Sequence, residues 1–227
     1  MRVFLLLCLL LVSVDAKVLG NVVSSFGSVK IKRIGSVIKI KASNGMEVSS
    51  GDLVMTSKNS HVFIKLIDDS KIVLDSSSSV YFDKKNFISQ SGKVFYKITS
   101  RDAKNSLKIK TPFAIIGIKG TTFIINNAKD SYVLLKDGII GIQSIKEEFR
   151  LYRRMVQREF ENFVSMQEQA FNEFKNAQNN YLPVHLTKRF DLKSGSRVSF
   201  ETNRVNEDKM SSKDNDEFHY FEELIKK

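Results

Sequence analysis

The chain has 227 residues, a formal net charge of +11, 42% apolar residues, two prolines, no tryptophan and one cysteine. That length fits one or two domains. The balance excludes wholesale disorder, a polytopic membrane protein, a collagen-like or Pro-rich chain, a disulfide scaffold and a Cys-based zinc module.

Residues 1–16 read as a signal peptide. Arg2 supplies a positive start, and residues 3–12 form an unbroken apolar run of signal-peptide length. That run is too short for a membrane span, which needs roughly 20 apolar residues. Ser13, Val14, Asp15 and Ala16 follow, with cleavage expected after Ala16. The plainer alternative is a buried N-terminal strand. Cys8 is preceded by Leu7 where a lipid-anchoring signal wants a small residue, so an anchor is not expected. Cleavage removes Cys8, which suits an oxidising compartment. No later apolar stretch is long enough to span a bilayer. The expectation is a periplasmic or secreted protein, soluble or peripheral.

Residues 17–145 read as a β domain of many short strands. Val29-Lys30-Ile31-Lys32, Ile38-Lys39-Ile40-Lys41 and Leu107-Lys108-Ile109-Lys110 alternate with period two, which puts apolar residues on a core face and lysines in water. Val94, Tyr96 and Ile98 line one face of another strand. Residues 62–67 and 72–74 are more apolar and fit central strands. Asp68-Asp69-Ser70 is a tight turn between them, and Asn44-Gly45 and Asp137-Gly138 suit hairpin turns with positive φ. The expected architecture is a sandwich, roll or short β-solenoid.

Residues 146–182 change period. Phe149, Arg153, Val156, Phe160, Phe163, Gln167, Ala170, Phe174, Ala177 and Tyr181 step by four and three, so a long amphipathic helix is expected, stopped by Pro183. At 1.5 Å per residue it is about 50 Å long. It could pack on its own β domain or on a partner, and Phe149, Val156, Phe160, Phe163 and Phe174 are the candidate partner-binding residues. Residues 183–206 resemble a β-hairpin around Lys193-Ser194-Gly195-Ser196. Residues 207–227 read as a flexible linker followed by a short amphipathic helix bearing Phe218, Phe221, Leu224 and Ile225.

An ordered set of motifs makes the strand region specific. Gly51-Asp52-Leu53-Val54-Met55-Thr56 opens it. The segment 63–74 follows, with Asp68 and Ser70 flanking Asp69. Ser91-Gly92-Lys93-Val94 comes next, then Thr111-Pro112-Phe113-Ala114-Ile115-Ile116-Gly117-Ile118-Lys119-Gly120-Thr121-Thr122-Phe123, and finally residues 133–140 with Gly138. Over roughly residues 45–145 this set resembles the FecR protein domain, the periplasmic sensory module of iron-uptake regulators. Asp69 stands where that family usually has Gly. The resemblance implies structural roles for Gly51, Asp52, Thr56, Asp68, Ser70, Gly92, Thr111, Pro112, Gly117, Gly120, Thr121, Phe123 and Gly138. Transmembrane regulators of the family carry a cytoplasmic sigma-factor-binding segment and one span before this domain. Neither is read here, so the expectation is a stand-alone exported version.

The remaining features point away from chemistry. His61, His185 and His219 lack metal-ligand spacing. Asp68, Asp69 and Asp75 read as a solvated turn, and residues 76–79 lack the glycines of a nucleophile elbow. No paired carboxylates sit on an apolar background. Nucleic acid is not expected as a partner, and no enzyme activity, metal or cofactor is expected. The leading expectation is a binding, sensory or scaffold module that docks another envelope protein. The alternatives are a basic binder of anionic cell-wall polymer or lipid, and a structural protein that self-assembles through the long helix.

Overall fold

A computed structural model describes residues 16–83, 87–99, 107–128, 130–153 and 185–226. The leader and cleavage site expected at residues 1–16 lie outside these residues, apart from Ala16. So do Val156, Phe160, Phe163 and Phe174 and most of the expected long helix.

Period-two alternation becomes strand after strand. In chain order these are β1 (Val18–Phe26), β2 (Val29–Lys32), β3 (Lys39–Lys41), β4 (Glu47–Ser49), β5 (Leu53–Thr56), β6 (His61–Leu66), β7 (Lys71–Leu74), β8 (Ser79–Phe82) and β9 (Phe87–Ser91). Then come β10 (Lys93–Ile98), β11 (Leu107–Lys110), β12 (Ala114–Asn126), β13 (Ser131–Ser144), β14 (Phe149–Arg153), β15 (His185–Thr187), β16 (Arg189–Lys193), β17 (Ser196–Glu201) and β18 (Arg204–Lys209). One helix, α1 (Ser212–Leu224), ends the described chain.

All the strands belong to one curled sheet. Its pairings form two rows that share the long hairpin β12–β13. The first row runs β3–β2–β5–β8–β9–β11, then the N-terminal half of β12, the C-terminal half of β13, and β16. The second runs β4–β1–β6–β7–β10, then the C-terminal half of β12, the N-terminal half of β13, and β17, β18, β14 and β15.

The rows meet at a crease. The β12–β13 register shifts between Lys119 and Thr122, opposite Asp137 to Ile139. β16 and β17 both run antiparallel to β13 and flank the same level. A positive-φ glycine sits at that level in β12, in β13 and between β16 and β17: Gly120 at 61°, Gly138 at 93° and Gly195 at 79°. Ser194 Oγ donates to the Gly138 carbonyl at 2.9 Å, and the Gly195 N–H donates to the Leu135 carbonyl at 2.8 Å. Stacked bulges of this kind bend a sheet sharply. The bend brings the two ends of the β12–β13 hairpin together. Phe113, just before β12, stacks at 4.2 Å on Phe200, which pairs with Ser131 near the hairpin tip.

The enclosed space is the main core, built from the inward residues of both rows, among them Val54, Ile64, Ile72, Tyr96, Ile109, Ile116, Phe123, Ile140, Phe149 and Leu192. A second cluster lies on the outer side of the second row, where Phe63, Val73, Phe95, Ile124, Tyr132 and Leu134 are covered by Phe218 and Phe221 of α1. Strands β6, β7, β10, β12 and β13 are therefore apolar on both faces, as the residues at 62–67 and 72–74 foretold.

Several expectations are corrected. Asn44-Gly45 joins β3 to β4, which pair with β2 and β1 and not with each other, so it turns no hairpin. Asp137-Gly138 makes a bulge within β13 and joins no hairpin. Gly195 likewise interrupts one line of chain along β13, so residues 189–201 are not a hairpin; the hairpin is β17–β18, turning at Thr202 with φ 59°. Phe149 starts a strand: Phe149 and Leu151 are buried and Arg150 is exposed, so Phe149 belongs to the core and cannot offer itself to a partner. Residues 204–209, read in part as the start of a flexible linker, form β18 between β17 and β14. The chain is mainly β as expected, and its strands form one creased, curled half-barrel sheet.

Candidate functional site

The first row has one face in the core and one in water. Register places the water-facing residues side by side across nine strands. Lys39 and Lys41 lie beside Lys32 and Lys30, followed by Leu53 and Met55, then Tyr81 and Ser79, then Ser89 and Ser91. Phe87 and Ser89 lie beside Lys108 and Lys110, then come Gly117 and Ile115, Gly141 and Gln143, and finally Asp191 and Arg189. Ile139 and Lys193 close the row at the crease. Of these side chains Lys30, Lys39, Lys41, Lys108, Lys110, Arg189 and Lys193 are exposed and Lys32 is half-buried, against one exposed acid, Asp191.

Apolar groups sit among the cations. Tyr81 and Ile139 are 38% and 58% exposed, and Phe87 is half-buried beneath Lys108, whose Nζ stands 5.6 Å from the ring centroid. Gly117 faces Gly141 directly, leaving a bare strip of backbone, and the Arg189 guanidinium lies over Gly141. Lysines opposite one another repel, and Lys30/Lys41 and Lys32/Lys39 are such pairs.

The outer side of the second row contrasts in charge. There Lys93, Lys136 and Arg197 are paired with Glu217 at 3.1 Å, Glu222 at 2.6 Å and Asp214 at 2.5 Å, all three acids from α1. Among the described residues the eight cations of the first row's face have no such acid within ion-pair distance. Their field is left to solvent and to whatever binds there.

The helix that neutralises the second face is held at its start by a capping box. Ser211 Oγ accepts from the Asp214 N–H, and Asp214 Oδ2 accepts from the Ser211 N–H at 2.7 Å. Burial alone would raise the Asp214 carboxyl, but the Ser211 hydrogen bonds and the Arg197 guanidinium outweigh it and hold the group below the usual carboxylate range. At Lys93 burial works against the charged form, yet Tyr132 and Glu217 win and push the ammonium upward.

The motif residues fall at turns and in the core. Gly51, at φ 90°, leaves room for Ile34 where a Cβ would stand. Asp52 is buried, accepts from the Ser49 N–H at 2.8 Å and pairs with Arg33 at 2.5 Å. Thr56 Oγ1 donates to the Asp75 carbonyl and accepts from the Ser78 N–H. Asp68 accepts from the Ser70 N–H at 3.2 Å, and Asp69 fills the family's glycine place at φ 64°. Gly92 passes against Ser78. Thr111 Oγ1 caps Ala114, while Pro112 is exposed. Thr121 is buried at the crease, and Phe123 stacks on Tyr96 at 4.9 Å. None of these side chains projects from the basic face. Gly117 contributes to it by lacking one.

Chemistry-bearing side chains do not converge. The three histidines sit on β6, β15 and α1, and His61 stacks on Phe26 at 5.1 Å. No group of three His, Cys, Asp or Glu fit to hold a metal occurs among the described residues. A cleft of about 360 Å³ opens at the end of the core beside Phe113, Phe149 and Phe200, and a smaller one of about 200 Å³ lies at the crease beside Lys71, Lys97 and Thr121.

A family model described as FecR protein matches residues 52–140. Those residues are a FecR domain. The domain covers β5 through the first part of β13, hence both sides of the crease, and the sheet continues beyond it into β1–β4 and β14–β18. Two crystal structures of candidate anti-sigma factors from Parabacteroides distasonis are partly similar to this chain. The one at 2.50 Å resolution is 9% identical with a TM-score of 0.47, over 71% of this chain and 61% of that one. The one at 1.65 Å is 13% identical with a TM-score of 0.38, over 70% of this chain and 99% of that one. Comparison with curated proteins finds no match. Alternation along the sequence places Lys30, Lys32, Lys39, Lys41, Lys108 and Lys110 in water without showing that they share one face with Arg189 and Lys193. The signal was there in the matching phase of the Lys-x-Lys pairs at 30–32, 39–41 and 108–110, but only the register shows that they share one face.

Proposed function

We propose that this chain is a non-enzymatic regulatory binding module of the FecR class, working after export, and that it docks an acidic surface of another envelope protein on the basic face of its first row. The reading rests on one observation: eight cations, unpaired among the described residues and interleaved with Tyr81, Phe87 and Ile139, occupy one side of a rigid sheet. Tyr81, Phe87 and Arg189 are of the aromatic and arginine types that protein interfaces favour, and the lysines around them supply the long-range field. Long-range attraction of this kind speeds encounter and weakens with salt. Among the described residues no helix is long and apolar enough to cross a membrane.

The test is capture from an envelope extract on immobilised protein, with the variant carrying Lys30→Glu, Lys32→Glu, Lys108→Glu and Lys110→Glu alongside. The expected outcome is a protein retained at low salt, released at high salt and not retained by the variant. Retention unchanged in the variant would refute the assignment of the face. Sedimentation with anionic vesicles or cell wall, without any retained protein, would replace a protein partner with an anionic polymer or lipid.

A further inference from the structure

The basic face ends at an open edge. Strand β3 pairs with β2 alone among the described residues, and all three of its residues are exposed. The neighbouring Val37 and Ile38 are 88% and 68% exposed, and Ile40 is 38% exposed. Which backbone groups face outward follows from one hydrogen bond. The Ala42 N–H donates to the Val29 carbonyl at 3.0 Å, in register with the β2–β3 ladder. Antiparallel pairs alternate between bonded and non-bonded. Val29/Ala42 and Ile31/Ile40 are therefore bonded pairs. Lys30/Lys41 and Lys32/Lys39 are not, and Lys39 and Lys41 turn their N–H and C=O groups away from β2, into the open edge.

We propose that β3 is a docking edge for an extended acidic segment of a partner protein, which adds to the first row as a further strand. The inference rests on the protein-docking reading above and specifies its binding mode. The occupant's chemistry follows from the edge. A strand laid on β3 takes its main-chain bonds from Lys39 and Lys41. Its residues opposite them lie on the basic face, next to four lysines that repel one another across β2 and β3. Carboxylates at those two positions relieve that repulsion. The residue between them lies on the side of Ile38 and Ile40 and is apolar. The segment is therefore acidic–apolar–acidic in period two. A second copy of β3 is excluded as the occupant, because it would set lysine against lysine; edge lysines commonly serve to block such self-pairing. Main-chain bonds supply affinity and alternate side chains supply selectivity, as in other strand additions.

The probe is a capped peptide, Thr-Glu-Val-Glu-Ile-Glu-Thr, beside a block-scrambled peptide of the same composition, added to the full chain. Hydrogen exchange followed by NMR is expected to show new protection at the Lys39 and Lys41 amides and none at Ile40, whose N–H is already bonded. Lys41→Gln keeps the N–H and loses a charge, so its affinity falls about threefold. Lys41→Pro removes an outward N–H that β2 does not use, a position where proline is tolerated at a sheet edge, and its affinity falls about tenfold or more. Unchanged exchange at Lys39 and Lys41, equal binding of the scrambled peptide, or full affinity in Lys41→Pro would each overturn the inference. If the peptide keeps its affinity for Lys41→Pro yet loses it in the four-lysine variant, the basic face stands as the docking surface and the strand addition fails.

Discussion

Substituting Gly138 by alanine tests the crease directly. Gly138 has φ 93°, and a Cβ there would stand 2.6 Å from Thr121 Cγ2 and 2.7 Å from the Gly120 carbonyl oxygen. The contact with a backbone oxygen cannot be relieved by a rotamer change. Gly195 sits at the same level with φ 79° and nothing within 4 Å of its would-be Cβ. The two substitutions share a conformational cost of about 1–2 kcal/mol for an L-residue in the left-handed region. Gly138→Ala adds an overpacking cost of about 1–3 kcal/mol. The expected losses are about 2–5 kcal/mol for Gly138→Ala and about 1–2 kcal/mol for Gly195→Ala. Urea unfolding followed by circular dichroism suits a chain without tryptophan, and the two slopes should match, so that midpoints report stability. Equal losses in the two variants would show that the bulges do not press on one another and that the crease is not set by close backbone approach.

Other outcomes follow from the same structure. Phe221→Ala removes a buried ring stacked on Phe95 at 5.5 Å and should cost about 3–5 kcal/mol; exchange at residues 212–224 should rise first, because a 13-residue helix has little stability undocked. The depressed Asp214 carboxyl contributes stability that is present above its unfolded value, about 3.9, and lost as pH falls through the folded value. Helix amide protection measured between pH 7 and 3 should therefore fall at the acid end, and Asp214→Asn should flatten that fall. Asp52→Ala strips an acceptor from the half-buried Ser49 N–H and from Arg33, a loss of about 1–3 kcal/mol by thermal unfolding; no change would show that water replaces it.

The strands were legible wherever one local signal sufficed. Val29 to Lys32 and Leu107 to Lys110 alternate because one face is wet, and the pattern survives any detail of pairing. Phe218 and Phe221 likewise marked their helix. Readings failed where two structures share the same local chemistry. Asp137-Gly138 offers positive φ, which a hairpin turn and a bulge both need, and only the partner strands across the crease decide between them. Phe149 lies at the head of a stripe of three-and-four steps, yet Phe149 and Leu151 also alternate, and pairing with β15 and β18 selects the strand. Residues 204–209 have one buried apolar side chain, Val205, and are a strand because β17 and β14 flank them. The basic face needed register across nine strands, which no window along the chain contains.

The three-glycine fold line has a mechanical corollary. Each half of the molecule borrows its central ribbons from the same stretch of polypeptide, so the halves are joined covalently through their middles and not through a linker at one end. A load applied to the lysine-bearing side must travel along β12 and β13 into the helix-capped side before any interface can slip. The two halves therefore cannot part as a hinged pair of lobes would; they yield together, when the shared hairpin itself unzips.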